Sequence, residues 1–285
     1  MGNWGWLIIG FLFFGGLGSG AYLASFAAEK GLFGKENNLE RAGYFISGPC
    51  LAVGLFLFSM NLGVSITGML TMIGNPTSVM TWGVYLLFIF MVLAFLSAYH
   101  KRENKKVPAI ISGAGALLAV ITALYTGGQL SVLFAQPFWN TILVPGLFVV
   151  SALMMGLASS SLLARIIEKP VQHEGVVVNR VNIILLFVEL VLLLALLLIS
   201  FSGAKGPVAA DSARIVVAGR LASYFWILLI AVGLVFPLLN NFYPKKKRAE
   251  KSGRILGLLS EMATLIGGAT LRAIIVLSAL PIWTI

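Results

Sequence analysis

Five polar side chains interrupt long apolar runs in this 285-residue chain: Asn61, Tyr125, Glu189, Glu261 and Arg272. Glu189 lies within FVELVLLLALLLI, where no sequence neighbour can neutralise it, so it must be protonated or paired with another segment. A carboxyl held in that way can carry a proton. Glu261 is a second candidate for the same route, or an interfacial acid. Arg272 supplies a cation that acts strongly on negative charge in a low dielectric, or else snorkels outward as an anchor. Tyr125 and Asn61 supply neutral hydrogen bonds; their plainer roles are an aromatic-belt residue and a helix–helix contact.

Other chemistries lack their ligands. Haem between helices is normally held by histidines within the spans, whereas the two histidines, His100 and His173, fall at the end of an apolar run and in a connector. The single cysteine, Cys50, excludes a disulfide framework and a cysteine-ligated iron–sulfur cluster within this chain. No GxxxxGK[ST] loop or dinucleotide fingerprint is present, so ATP or NAD binding is not indicated.

The elements that must position these groups are transmembrane helices. The chain is 59% hydrophobic and 11% charged, against about 25% charged residues in a typical soluble domain. A hydrocarbon core about 30 Å thick needs about 20 apolar residues per helix. Eight spans are predicted, at 4–28, 43–71, 81–100, 107–127, 141–165, 181–202, 221–242 and 255–278, forming one transmembrane domain over 1–285. The expected fold is an all-α integral membrane protein, its eight helices arranged as two four-helix bundles. Pro49 near the start of the second span predicts a kink or tilt there. The segment before Lys30 has no basic residue and too long an apolar run for a secretory signal, so it reads as a retained first helix.

Basic residues concentrate in alternate connectors: Lys30, Lys35 and Arg41; Lys101, Arg102, Lys105 and Lys106; Arg165, Lys169 and Arg180; then Lys245 to Arg254. The positive-inside rule places these loops in the cytoplasm and both termini outside it, with the chain a multi-pass protein of the cytoplasmic membrane. On this topology Asn61, Tyr125 and Arg272 fall towards the outer leaflet, and Glu189 and Glu261 in the inner half. The outer connectors Gly74 to Met80 and Gly127 to Asn140, which includes Gln129, carry no charge. Such loops suit an interface with headgroups or with a partner subunit. Small residues on the first span (Gly15, Gly16, Gly18, Ser19, Gly20) and the eighth (Gly267, Gly268) permit close helix approach or admit a flat ligand.

Pro76-Thr77-Ser78 followed by Trp82-Gly83 resembles a motif of the NrfD/PsrC family, the membrane subunits of polysulfide-reductase-type complexes. Tyr125-Thr126-Gly127 is similar to that family's Tyr-x-Gly. Pro137-Phe138-Trp139-Asn140, with Phe148, Ser151-Ala152-Leu153 and Gly156, is similar to its PxWN stretch. Phe225-Trp226, Gly267-Gly268 and Leu271-Arg272 continue the resemblance in family order, as does the glycine-rich first span. One departure is the apolar stretch Ile8 to Phe14, where the polysulfide reductase pattern has an asparagine and a histidine. Another is Asn61, where many relatives carry an acid; an amide can hydrogen-bond a quinone but cannot take its proton.

The resemblance implies a haem-free subunit that binds a quinone (menaquinone or ubiquinone) near the outer face. It would dock a ferredoxin-like iron–sulfur subunit wired to a molybdopterin catalytic subunit. Quinone contacts are expected at Tyr125, Asn61, Arg272 and Gln129, a proton route at Glu189 and Glu261, and the partner interface at Pro76, Thr77, Ser78, Pro137, Trp139 and Asn140. This would be an electron-transfer subunit of an oxidoreductase rather than an enzyme alone. Two other readings remain: a proton-coupled secondary transporter with Glu189 as the coupling carboxylate, and a structural anchor without a working quinone site.

Overall fold

The computed structural model describes residues 4–33, 39–61, 79–167, 176–242 and 251–279. These residues contain eight helices long and apolar enough to cross a membrane. The helices are α1 (Trp4–Glu29), α2 (Leu39–Asn61), α3 (Val79–Arg102), α4 (Ala109–Ser131), α5 (Leu143–Ile167) and α6 (Val176–Phe201). A short α7 (Pro207–Val217) precedes α8 (Tyr224–Asn241) and α9 (Lys251–Ser278). The first part of α8, Tyr224–Val235, is wound as a π-helix. Pro49 lies inside α2. Residues 62–71 of the expected second span lie outside the described residues, as do Pro76, Thr77 and Ser78.

Two four-helix bundles follow from the contacts. Helices α1 to α4 touch in a ring, and α5, α6, α8 and α9 form a second ring. The rings join where α1 packs on α5 and α9 and where α5 also meets α2 and α4. Accordingly α1 and α5 are the most enclosed spans, with 67% and 72% of their most apolar windows buried. Their crossing is backbone on backbone: a Cβ on Gly20 would overlap the Ala152 carbonyl, and one on Gly156 would overlap the backbone of Gly20. Side chains such as Phe56, Phe88, Ile110, Phe187 and Leu198 stand exposed on the outer faces, as a lipid-facing surface requires.

Apolar periodicity predicts a plain loop between the sixth and seventh spans, and the structure puts α7 in it. Gly206, with a φ of 80°, and Pro207 at the first turn start this helix, and Val208, Ala209, Ala213 and Val216 bury one face. Its 11 residues are too short for a span, which is why a search for apolar runs passes over it. The start of α6 also differs from expectation. It begins at Val176 rather than 181, because Asn179 and Arg180 in its first turns read as connector.

Candidate functional site

Arg272 is completely buried where α1, α5 and α9 meet. Its Nε donates to the Leu12 carbonyl on α1 at 2.9 Å. Its Nη1 donates to Ser151 Oγ on α5 at 3.0 Å and to the Gly268 carbonyl one turn back on α9 at 2.9 Å. The guanidinium also lies over the Phe148 ring, 5.1 Å from its centroid. Nη2 points at α1, where a Cβ on Gly16 would overlap it, and makes no hydrogen bond.

Glu189 on α6 is 3% exposed and reaches the same knot. Its carboxyl interacts with the Ser151 hydroxyl and, electrostatically, with Arg272. Ser151 can accept from Arg272 and donate to Glu189 at once. Arg272, Ser151 and Glu189 thus lie in one buried polar cluster. A depth count along the helices puts Glu189 level with Glu261, in the half opposite Arg272. Side chains on a helix lean towards its N-terminus, and the long Arg272 side chain reaches back along α9 to Gly268. Ser151, which joins the two, stands out in the sequence only as part of a motif.

Glu261 stands apart from this cluster. It forms an ion pair with Arg165 at 3.0 Å, and its second oxygen, Oε2, is buried without a hydrogen bond. A polar cavity lies beside it at the ends of α5, α6, α8 and α9 nearest the basic connectors. Asn179, Asn182, Asn240, Asn241 and Ser260 line it together with Glu261. None of the four asparagines is singled out by the sequence reading. The spacing of Asn179, Asn182, Leu186 and Glu189, which puts all four on one face of α6, is the available signal.

Tyr125 is half-buried on α4, and its hydroxyl fills the space over Gly83 of α3, where a Cβ would overlap it. The next residue, Thr126, faces Gly15 of α1, as Arg272 faces Gly16. Thr126 and Arg272 thus meet neighbouring positions of α1, on adjacent faces of that helix. Asn61, at the end of α2, is 7% exposed, and its Oδ1 has no hydrogen-bond partner. It lies one turn beyond Phe58, whose ring packs on Phe11 of α1 at 4.7 Å. Gln129 is half-buried one turn after Tyr125. Tyr125, Gln129 and Asn61 therefore share the end of the first bundle away from the basic connectors.

Residues expected at a partner interface are tied inwards. Pro137 is half-buried. Trp139 donates from its indole to the Ile275 carbonyl at 2.7 Å, and the Asn140 amide donates to the Ser131 carbonyl at 2.7 Å. The part of that loop that faces outward is Val132, Leu133 and Phe134, the last 80% exposed. The first bundle holds a further polar group that the sequence reading does not find: Tyr22 hydrogen-bonds Ser97 at 2.9 Å, and Tyr44 donates to Glu29 at 2.6 Å.

A family model described as "Polysulphide reductase, NrfD" matches residues 2–282. The C subunit of polysulfide reductase from Wolinella succinogenes is 26% identical, over 94% of this chain and 92% of that protein. Protein NrfD of Escherichia coli (strain K12) is 27% identical, with the same 94% and 92% covered. The Hdr-like menaquinol oxidoreductase integral membrane subunit of Archaeoglobus fulgidus is 21% identical, over 85% of this chain and 63% of that protein.

Proposed function

Because the chain belongs to the NrfD polysulphide reductase family, we propose that it is the membrane anchor and quinone-reactive subunit of a multi-subunit respiratory complex. In this reading it exchanges electrons between a membrane quinone (menaquinone or ubiquinone) and an extracytoplasmic iron–sulfur subunit, which serves a molybdopterin catalytic subunit. Both termini, and the end of the first bundle that carries Tyr125, then face away from the cytoplasm. The relative named a menaquinol oxidoreductase subunit supports the choice of ligand.

The observation that carries the proposal is the open hydrogen-bonding capacity at that end of the bundle. Asn61 Oδ1 is buried without a partner, and buried polar atoms are almost always satisfied. A ring hydroxyl would satisfy it. The Tyr125 hydroxyl rests over the bare backbone of Gly83, which fixes a hydrogen-bonding group at this end of the bundle. When bound, a quinone supplies the two-electron, two-proton chemistry. Tyr125 and Asn61 orient the ring by hydrogen bonds, and Gln129 extends the polar wall by one turn. Arg272 is fully buried at the junction of α1, α5 and α9, and its charge would stabilise negative charge at the site through the low dielectric. The exposed Val132–Phe134 tip forms part of the surface that receives the iron–sulfur subunit.

Purification from native membranes in mild detergent, with mass spectrometry of bound lipids and proteins, tests this reading. Bound quinone with a stoichiometric iron–sulfur partner is the expected result. A chain isolated without either, under conditions that keep other respiratory complexes whole, overturns it and favours the transporter. Partners without quinone favour the structural anchor.

A further inference from the structure

We propose that the seam between α2 and α3 is a binding site for an anionic phospholipid, with its phosphodiester held by Arg41 and Arg102 and an acyl chain laid along the seam. The site lies at the end of the first bundle opposite Tyr125 and stands whether or not a quinone binds.

The register of the two helices sets the positions. Gly48 on α2 is the floor of the seam, where a Cβ would stand 2.9 Å from the Phe95 ring of α3. Arg41 comes seven residues before Gly48, and Arg102 seven residues after Phe95. Seven residues make two helical turns, a rise of about 10 Å, so both arginines continue these faces towards the basic connectors. The ion pair between Glu40 and Lys101 ties the two helix ends together at that level. Further along, the seam is apolar and open to lipid. On α3, Phe88, Val92, Phe95 and Tyr99 recur on one exposed stripe, and Val53 and Phe56 stand exposed on the flank of α2.

Charge decides what covers this end. The two carboxylates on these helix ends are taken, Glu40 by Lys101 and Glu103 by Lys105 at 3.6 Å. Arg41 and Arg102 have no ion-pair partner among the described residues. Arg41 Nε is buried without a hydrogen bond, and its guanidinium lies over the Phe45 ring, 5.5 Å from the centroid. A buried donor left unpaired is costly, and the planar fork of arginine matches two phosphodiester oxygens. Two like charges at the head of an apolar seam call for an anion that carries its own apolar tail. A zwitterionic headgroup fits less well, because it returns a cation to the same place. In binding, Arg41 turns away from Phe45 so that Nε and a terminal nitrogen meet the phosphodiester. Arg102 and the Tyr99 hydroxyl take the remaining headgroup oxygens.

The test uses the purified protein in detergent and a phosphatidylglycerol with a photoactivatable diazirine in its acyl chain; labelled peptides are mapped by mass spectrometry. Saturable labelling is expected along the seam, around Val53 and Phe95. Unlabelled phosphatidylglycerol should compete with it at least about tenfold better than phosphatidylcholine, the span of a hydrogen bond to a charged group. Arg41→Gln should weaken the labelling by a similar factor. Arg214→Gln, on the exposed side of α7, should leave it unchanged. Equal competition by the two lipids, undiminished labelling of the Arg41→Gln variant, or an unlabelled seam, as when a second copy covers it, overturns the proposal. The wild-type competition decides the matter even where the variant does not fold, and absence of quinone leaves the readout unchanged.

Discussion

Gly16 on α1 and Arg272 on α9 share one space: a Cβ at position 16 would overlap the Nη2 atom of the guanidinium. The two bundles meet here because residue 16 has no side chain. Arg272 is thereby enclosed by α1, α5 and α9 and hydrogen-bonds a residue of each.

The first prediction follows directly. Gly16→Ala forces the guanidinium away from Leu12 and Ser151, loosening the joint between the bundles. Thermal unfolding in detergent should show a clear drop in Tm. Gly113→Ala on α4, where a Cβ would meet nothing within 4 Å, is the control. It should leave Tm unchanged or raise it, since a helix-interior glycine costs about 0.5–1 kcal/mol against alanine.

A second prediction concerns Glu189 and Arg272. Both are buried, and removing a group that compensates a buried charge is destabilising. Arg272→Gln and Glu189→Gln should therefore each destabilise. The double variant should be more stable than the sum of the two singles predicts, measured as a double-mutant cycle by denaturant unfolding. Arg272→Lys should not rescue, because an ammonium lacks the planar fork that reaches Leu12, Ser151 and Gly268 together. Additive single effects would contradict the pairing.

The spans are legible in the sequence because lipid demands about 20 apolar residues per crossing, and no tertiary contact can change that demand. The pairing of Glu189 with Arg272 is not legible there. It depends on the reach of Arg272 back along its own helix and on Ser151 from a third helix, neither of which a depth count includes. Asn179 and Asn182 also escape notice. Asn179 falls just before the expected span and Asn182 just inside it, and neither position shows from sequence that it faces a polar cavity. Tyr125 and Asn61 stand out as polar groups in apolar runs. Their placement relative to Arg272 is a matter of helix packing.

A third prediction bears on the quinone end. Tyr125→Phe keeps the ring and removes one hydrogen bond, a loss of about 0.5–1.5 kcal/mol, or about 2- to 13-fold in affinity. Gly83→Ala places a methyl where the Tyr125 hydroxyl now sits and should weaken quinone binding at least as much. Both effects are read by equilibrium titration of a soluble quinone analogue, and Tyr125→Phe should leave Tm nearly unchanged.

A fourth prediction separates internal ties from docking in the Gly127–Asn140 segment. Trp139→Phe breaks the bond to Ile275 and should lower stability by about 1 kcal/mol while leaving partner binding intact. Phe134→Asp changes an exposed tip and should do the reverse, reducing co-purification of the partner subunit without moving Tm. The opposite pattern would mean that Trp139 is the contact surface.

The central claim is that a quinone binds at the Tyr125 end of the first bundle. Photolabelling the purified protein with an azido-quinone, with the labelled peptides mapped by mass spectrometry, tests it most directly. The account predicts saturable labelling on α4 around Tyr125 and Gln129 or on α2 near Asn61, suppressed by excess menaquinone. Labelling that does not saturate and spreads over lipid-facing residues such as Phe88, Phe187 and Leu198 would contradict it.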